Sequence, residues 1–209
     1  MTLESIHDLV CNGKTRLVPG AVNEALDDGI AAPDILNTMI EAMSVVGERF
    51  SRNEIFVPEM LVAAKAMKKG VDVLKPHLSD GSVGSRGKMI MGTVAGDLHD
   101  IGKNLVIMMI ESAGFEVIDL GVDVPVDRFI SAYEENPDTR IIGCSALLTT
   151  TTPALEQTVA TINQQPWRNK VKVMVGGAPI TQEFADKIGA DAYTEDAASA
   201  AQKAKELVA

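Results

Sequence analysis

The 209-residue chain is 46% hydrophobic and 23% charged, the make-up of an ordinary globular protein, which excludes a disordered tail or a collagen-like repeat. It carries a formal charge of −10, with 9 basic against 12 acidic residues up to residue 87 and 10 against 17 beyond it, and only 4% aromatics. Neither half has the basic footprint or the stacking platforms that nucleic acid or an anionic membrane calls for, so the ligand is expected to be a small molecule or a protein.

No window of about 18 uninterrupted apolar residues is present, and the start MTLESIHDLV lacks the basic and apolar stretches of a signal peptide, so a cytoplasmic protein is expected. Cys11 and Cys144 are too few for a disulfide scaffold and read as reduced thiols.

Residues 1 to about 78 read as helices only. Weak helical segments lie near 3–11 and 15–28. Leu36, Met39, Ile40, Met43 and Phe50 then share one stripe, and Met60, Ala64, Met67, Val71 and Leu74 another. Pro33 and Pro58 stand where a first helical turn tolerates them. Four helices predict a small bundle. Residues 79–87, rich in Gly and Ser, have the composition of an interdomain linker and are a hinge candidate, giving a helical domain over 1–87 and a second domain over 88–209.

Beyond the linker, short apolar runs alternate with helical segments. KMIMGTV, EVIDLG, RIIGCSA, VKVMVGG and DAYT read as five strands; helices follow from Ile101, from Val126, after Pro153, from Thr181 and at the C-terminus. That alternation predicts right-handed βαβ units: a doubly wound α/β domain of flavodoxin-like, Rossmann type, with a five-stranded parallel sheet. Ligands of such folds bind beyond the carboxyl ends of the strands. The chemistry is therefore expected in the loops after 88–94, 140–144 and 171–175.

The first of these loops places Asp97, His99 and Gly102 at D-x-H-x-x-G spacing directly after a strand. Gly102-Lys103 beside Gly96 approaches a P-loop, but the spacing is one residue too long and Asn104 replaces the Ser or Thr that magnesium needs. His99-Asp100 looks like the metal pair of HD-type phosphohydrolases, yet that helical family needs further ligands and the chain has only His7, His77 and His99. A lone His with a carboxylate two residues before it has the form of a carboxylate–imidazole–metal relay. One His cannot hold a bare ion, but it can give one axial ligand to a metal whose other positions come from a macrocycle. From these residues alone, a His that only caps the following helix is an equal alternative.

The loop resembles the cobalamin-binding loop of corrinoid proteins, the methyl carriers of anaerobic methyltransferase systems, and is similar to the cobalamin module of cobalamin-dependent methionine synthase. Ser145-Ala146-Leu147 after the third strand and Gly176-Gly177 after the fourth match the same pattern. Residues 46–67 resemble the family's helical cap, and residues 189–200 its last strand and helix. The resemblance implies a cobalamin or related corrinoid, with cobalt cycling through methylcobalamin, cob(I)alamin and occasionally cob(II)alamin. It implies His99 as the axial cobalt ligand in place of the cofactor's dimethylbenzimidazole base, Asp97 on the other imidazole nitrogen and Ser145 hydrogen-bonded to Asp97. Gly96, Asp100, Ile101, Gly102, Leu147, Thr149, Gly176 and Gly177 are then expected around the cofactor, the glycines admitting its nucleotide tail. Thr149 to Thr152 equally suits a helix N-cap.

The chain is thus expected to be no enzyme on its own but a carrier between a substrate-specific methyltransferase and a second one acting on tetrahydrofolate or a thiol, with a reductive activating protein as further partner. Among donors an O-demethylase system using aryl methyl ethers is the leaning, without residue-level support. Two alternatives are a cobalamin-dependent sensor, disfavoured by the acidic helical half, and the cobalamin subunit of a mutase, which generally lacks a cap of this kind.

Overall fold

The computed structural model describes residues 2–78 and 86–209. Residues 79–85 of the expected linker, and with them most of the hinge candidate, lie outside the described residues. The rest forms two compact units, 2–78 and, for all but residues 112–114, 86–209.

The first unit contains α1 (Leu3–Cys11), α2 (Val18–Asp27), α3 (Ala32–Ser51) and α4 (Val57–Leu74). Each start has a local cause: the Thr2 hydroxyl accepts from the Ser5 N–H, Pro19, Pro33 and Pro58 occupy first turns, and the Glu59 carboxylate accepts from the Phe56 N–H at 3.1 Å. Helix α2 begins at Val18 rather than Thr15, because residues 13–17 form turns. The buried stripe of α3 runs through Ile35, Met39, Met43 and Val46, while Phe50, in the last turn, is only half-buried. Gly70 marks a close approach in the bundle: a Cβ there would stand 2.6 Å from Met39 Sδ and 2.9 Å from Val18 Cγ1.

The second unit alternates β1 (Lys88–Thr93), α5 (Ile101–Ser112), β2 (Glu116–Asp119), α6 (Val126–Glu135), β3 (Thr139–Ser145), α7 (Thr152–Asn163), β4 (Lys172–Gly176), α8 (Gln182–Ile188), β5 (Ala192–Tyr193) and α9 (Ala197–Val208). The five strands pair in parallel in the order β2-β1-β3-β4-β5, so the chain reverses direction across the sheet between β1 and β3. That is the doubly wound, flavodoxin-like order, and its switch point lies beside the loop that carries His99. The last strand shrinks to two residues, because Thr194 and Glu195 lead into α9, whose cap is the Asp196 carboxylate accepting from the Ser199 N–H at 2.8 Å.

Period-two alternation sorts the strand residues between two faces. Ile90, Ile142 and Val173 are buried in a core completed by Phe129, Leu155, Val159 and Ile188 of α6, α7 and α8. Met89, Met91, Gly143 and Met174 face the other way, beside α5 and α9. Helix α9 turns alanines inward, Ala197, Ala200, Ala201 and Ala204 among them, and so leaves room over that face of the sheet. Among the described residues no helix is long and apolar enough to cross a membrane.

Gly70→Val should destabilise the helical unit by about 1–3 kcal/mol, since a branched side chain must displace the fully buried Met39 and also lowers helix propensity. Denaturant unfolding of the variant checks this.

Candidate functional site

The β1–α5 loop is built around the carboxylate of Asp97, a fully buried charge. Gly96, at φ 80°, turns the chain, and its N–H donates to Asp123 Oδ1 at 2.7 Å. Asp97 Oδ1 then accepts from the His99 N–H at 3.1 Å and pairs with His99 Nδ1 at 2.8 Å. Asp97 Oδ2 accepts from the β3–α7 loop: from the Leu147 N–H at 2.6 Å, the Leu148 N–H at 3.3 Å and the Thr151 hydroxyl at 2.7 Å. Burial by itself raises the carboxyl pKa. The bonds from Leu147, Thr151 and His99 outweigh it and hold the group well below the usual carboxylate range.

An ionised carboxylate can only accept, so the ring proton of a neutral His99 sits on Nδ1 and the lone pair on Nε2. No group among the described residues bonds to Nε2, and the side chain is half exposed. Exposed apolar side chains stand in the same loops: Leu98, Ile101 and Leu147.

Ser145 does not bond to Asp97. Its hydroxyl lies 2.9 Å from that of Thr93, which donates to the His99 carbonyl at 3.0 Å, so Ser145 acts on the histidine through its backbone. The reason is register: Ser145 pairs with Thr93 across β1 and β3, two residues short of the turn whose amides and Thr151 reach Asp97. The hydroxyl that matters in the threonine cluster is therefore Thr151. It occupies the N-cap position of α7 but makes no capping bond, and it serves Asp97 instead. Thr149 is exposed, with its carbonyl accepting from the Thr152 hydroxyl.

A cleft of about 310 Å³ opens on the Met89/Met91 face of the sheet, between α5 and α9. His99, Gly102, Ser145, Leu147, Gly176 and Gly177 all line it. Gly96, Asp97, Asp100, Ile101 and Thr149 do not; Asp100 accepts from the Asn104 side chain at 3.1 Å, which ties down the start of α5. A Cβ on Gly102 would meet nothing within 4 Å, and one on Gly176 only the Thr194 carbonyl at 3.4 Å, so these two glycines keep the cleft open. Gly177 has a different purpose: at φ 131°, its Cβ would collide with the Ala146 carbonyl oxygen, so the fold itself requires the glycine.

Unforeseen in the sequence were the lining residues Met89, Met91, Met174 and Lys103. Lys103 is buried, and its ammonium donates to Asp119 Oδ1 at 2.6 Å and Asn104 Oδ1 at 2.9 Å. Cys144 also lines the cleft, and burial pushes its thiol up to about 12. Among the described residues no three His, Cys, Asp or Glu side chains converge as a metal cage, so an ion at His99 must bring its other donors with it.

These features coincide with likeness to known proteins. Residues 87–202 match a B12 binding domain, and residues 2–75 match a second family model of the same description. The dimethylamine corrinoid protein of Methanosarcina barkeri is 45% identical over 209 residues, covering 99% of this chain and 97% of its own. Dimethylamine corrinoid protein 3 of Methanosarcina mazei is 52% identical over 169 residues, 80% of this chain and all of its own. Among solved structures, a cobalamin-binding protein from Desulfitobacterium hafniense has 31% identity and a TM-score of 0.84, covering 100% of this chain and 99% of its own. The methanol:cobalamin methyltransferase complex MtaBC of Methanosarcina barkeri contains a chain with 27% identity and a TM-score of 0.83, matched over 97% of this chain and 78% of its own. By sequence and fold alike, the chain belongs to the family of B12-binding proteins.

Proposed function

We propose that this chain is the cofactor-carrying subunit of a multi-component methyltransferase, in which the β1–α5 loop would hold a corrinoid and His99 Nε2 would ligate its cobalt. The observation that carries the reading is the 2.8 Å pairing of His99 Nδ1 with buried Asp97, which leaves Nε2 unbonded on a cleft wall. The residues fit the group. A single imidazole suffices where a macrocycle supplies the other donors, exposed Leu98, Ile101 and Leu147 offer apolar surface to it, and the open space at Gly102 and Gly176 leads into a cleft for the nucleotide tail.

When bound, the corrinoid supplies a cobalt centre that takes up and gives up a methyl group. Asp97 fixes the His99 tautomer and the orientation of its ring. Thr93 and Ser145 hold the His99 backbone, and Leu147 and Thr151 hold Asp97.

The partners are a substrate-specific methyltransferase, a second one acting on a thiol or tetrahydrofolate, and a reductive activating protein. No residue of the chain favours an aryl methyl ether, whereas the relatives are named for dimethylamine, so a methylamine is the donor we propose. Methyl transfer to the loaded chain with a dimethylamine methyltransferase, and none with a methyl-ether methyltransferase, is the expected result; the reverse refutes this donor.

His99→Ala should leave the fold intact and retain part of the corrinoid binding, but abolish the nitrogen splitting in electron paramagnetic resonance of the Co(II)-loaded protein. Persistent splitting refutes the ligand assignment. Asp97→Asn turns an amide NH₂ toward His99, so Nδ1 must accept and the ring proton moves to Nε2, where it blocks ligation. The same loss of splitting is expected, together with about 1–3 kcal/mol of destabilisation from donors left unpaired, read by denaturant unfolding. Gly102→Leu enters open space and relieves a helical glycine, so stability should hold or rise by up to about 1 kcal/mol. Corrinoid affinity of this variant should nevertheless fall by roughly tenfold or more as the side chain fills the approach; equilibrium titration against wild type checks it.

A further inference from the structure

The segment from the end of β2 to the start of α6 braces the His99 loop at its start, its middle and its end. At the end of β1, the Thr93 N–H donates to the Gly121 carbonyl at 3.0 Å, and the Val124 N–H donates to the Thr93 carbonyl at 2.9 Å. In the first turn of α5, the Lys103 ammonium donates to Asp119 Oδ1 at 2.6 Å, an oxygen that also accepts from the Gly121 N–H. Between these lies Asp123, which holds the loop at Gly96 and Asp97. Its Oδ1 accepts from the Gly96 N–H at 2.7 Å, and its own N–H donates to the Asp97 carbonyl at 2.9 Å.

Asp123 makes this double contact from a left-handed backbone, at φ 53°, which among the described residues only Asn53 shares without being a glycine. Asp tolerates that conformation better than most side chains, but it is strained and persists only where the surroundings hold it. The stretch it grips is the least stiff part of the loop. Gly96, itself at φ 80°, has the widest backbone freedom of any residue, and rotation there swings the Asp97 that follows. The Asp97 carboxylate has to meet donors on two loops within hydrogen-bonding tolerance, so its backbone must be placed before its side chain can be. Bonds to the Gly96 N–H and the Asp97 carbonyl fix both ends of the unit that carries the carboxylate, and the Asp97 N–H, donating to the Val94 carbonyl at 3.1 Å, adds a third point. Asp123 does this without lining the cleft.

We propose that Asp123 is a positioning residue for the ligating histidine: its carboxylate and left-handed backbone clamp Gly96 and Asp97 so that the Asp97 carboxylate stays on His99 Nδ1. The ligating role of His99 rests on the carrier reading above, whereas the clamp belongs to the unloaded chain.

The test compares Asp123→Asn and Asp123→Gly in the full chain, each first shown to be folded by denaturant unfolding. Asn keeps an acceptor oxygen and tolerates the left-handed turn; Gly tolerates the turn but has no acceptor, so the pair separates the hydrogen bond from the backbone strain. In the unloaded chain, nitrogen NMR of the histidine rings in mildly alkaline solution reads the tautomer. Wild type and Asp123→Asn should carry the His99 proton on Nδ1 alone, and Asp123→Gly should show a mixture with the Nε2–H form. After loading with cob(II)alamin, the nitrogen-split resonance should be complete in wild type and Asp123→Asn but share with an unsplit signal in Asp123→Gly, whose corrinoid affinity should fall by roughly fivefold, the equivalent of one hydrogen bond. A wild-type tautomer and full splitting in Asp123→Gly overturn the proposal, and so does Asp123→Asn behaving like Asp123→Gly. Should Asp123→Gly not fold, amide exchange in wild type decides: the Gly96 N–H must be protected, and free exchange there refutes the clamp. Failure of the carrier reading has a different signature, in which wild type itself shows no nitrogen splitting while the tautomer comparison still stands.

Discussion

A fully buried carboxylate is costly to keep unless its lone pairs are satisfied, and Asp97 meets that requirement by drawing together two loops that are fifty residues apart in sequence. One oxygen serves the histidine of its own loop. The other collects two amides and a hydroxyl from the loop that follows β3. Since these loops leave adjacent strands at the point where the sheet changes direction, the carboxylate locks the switch point into one geometry and the imidazole with it. The binding surface is organised by hydrogen bonds that exist within the protein itself, which reduces the conformational freedom to be lost when a ligand arrives.

The same arrangement separates two kinds of glycine that look alike in a sequence. Gly102 and Gly176 keep space free for something outside the chain, whereas Gly177 and Gly143 accommodate the chain's own atoms: a carbonyl in one case, methionine side chains in the other. Gly70 in the helical unit belongs to the second kind. Only the position of neighbouring atoms distinguishes them.

Much was legible from the residues. The alternation of apolar runs and helical segments gave the parallel sheet, and D-x-H-x-x-G after the first strand located the Asp97–His99 pair, because both depend on spacing along one short stretch. What stayed hidden depends on contacts across the sheet. The register that sets Ser145 opposite Thr93 rather than beside Asp97 is fixed by strand pairing, and the choice of Thr151 within a run of four threonines is fixed by how tightly the turn after Leu147 winds. The methionines of the cleft were hidden for a different reason. Met89 and Met91 read as ordinary strand residues until the small side chains of α9 show that nothing large covers them.

Cys144 turns its side chain away from the methionine face and into the core. A protein that conveys an electrophilic carbon must not intercept it, and sulfur is the strongest nucleophile among ordinary side chains, though only as thiolate. Burial pushes its pKa up to about 12, so this cysteine stays a thiol at neutral pH. It therefore packs as a small hydrophobe on the core face of the sheet, and the same burial that makes it part of the core keeps its sulfur unreactive.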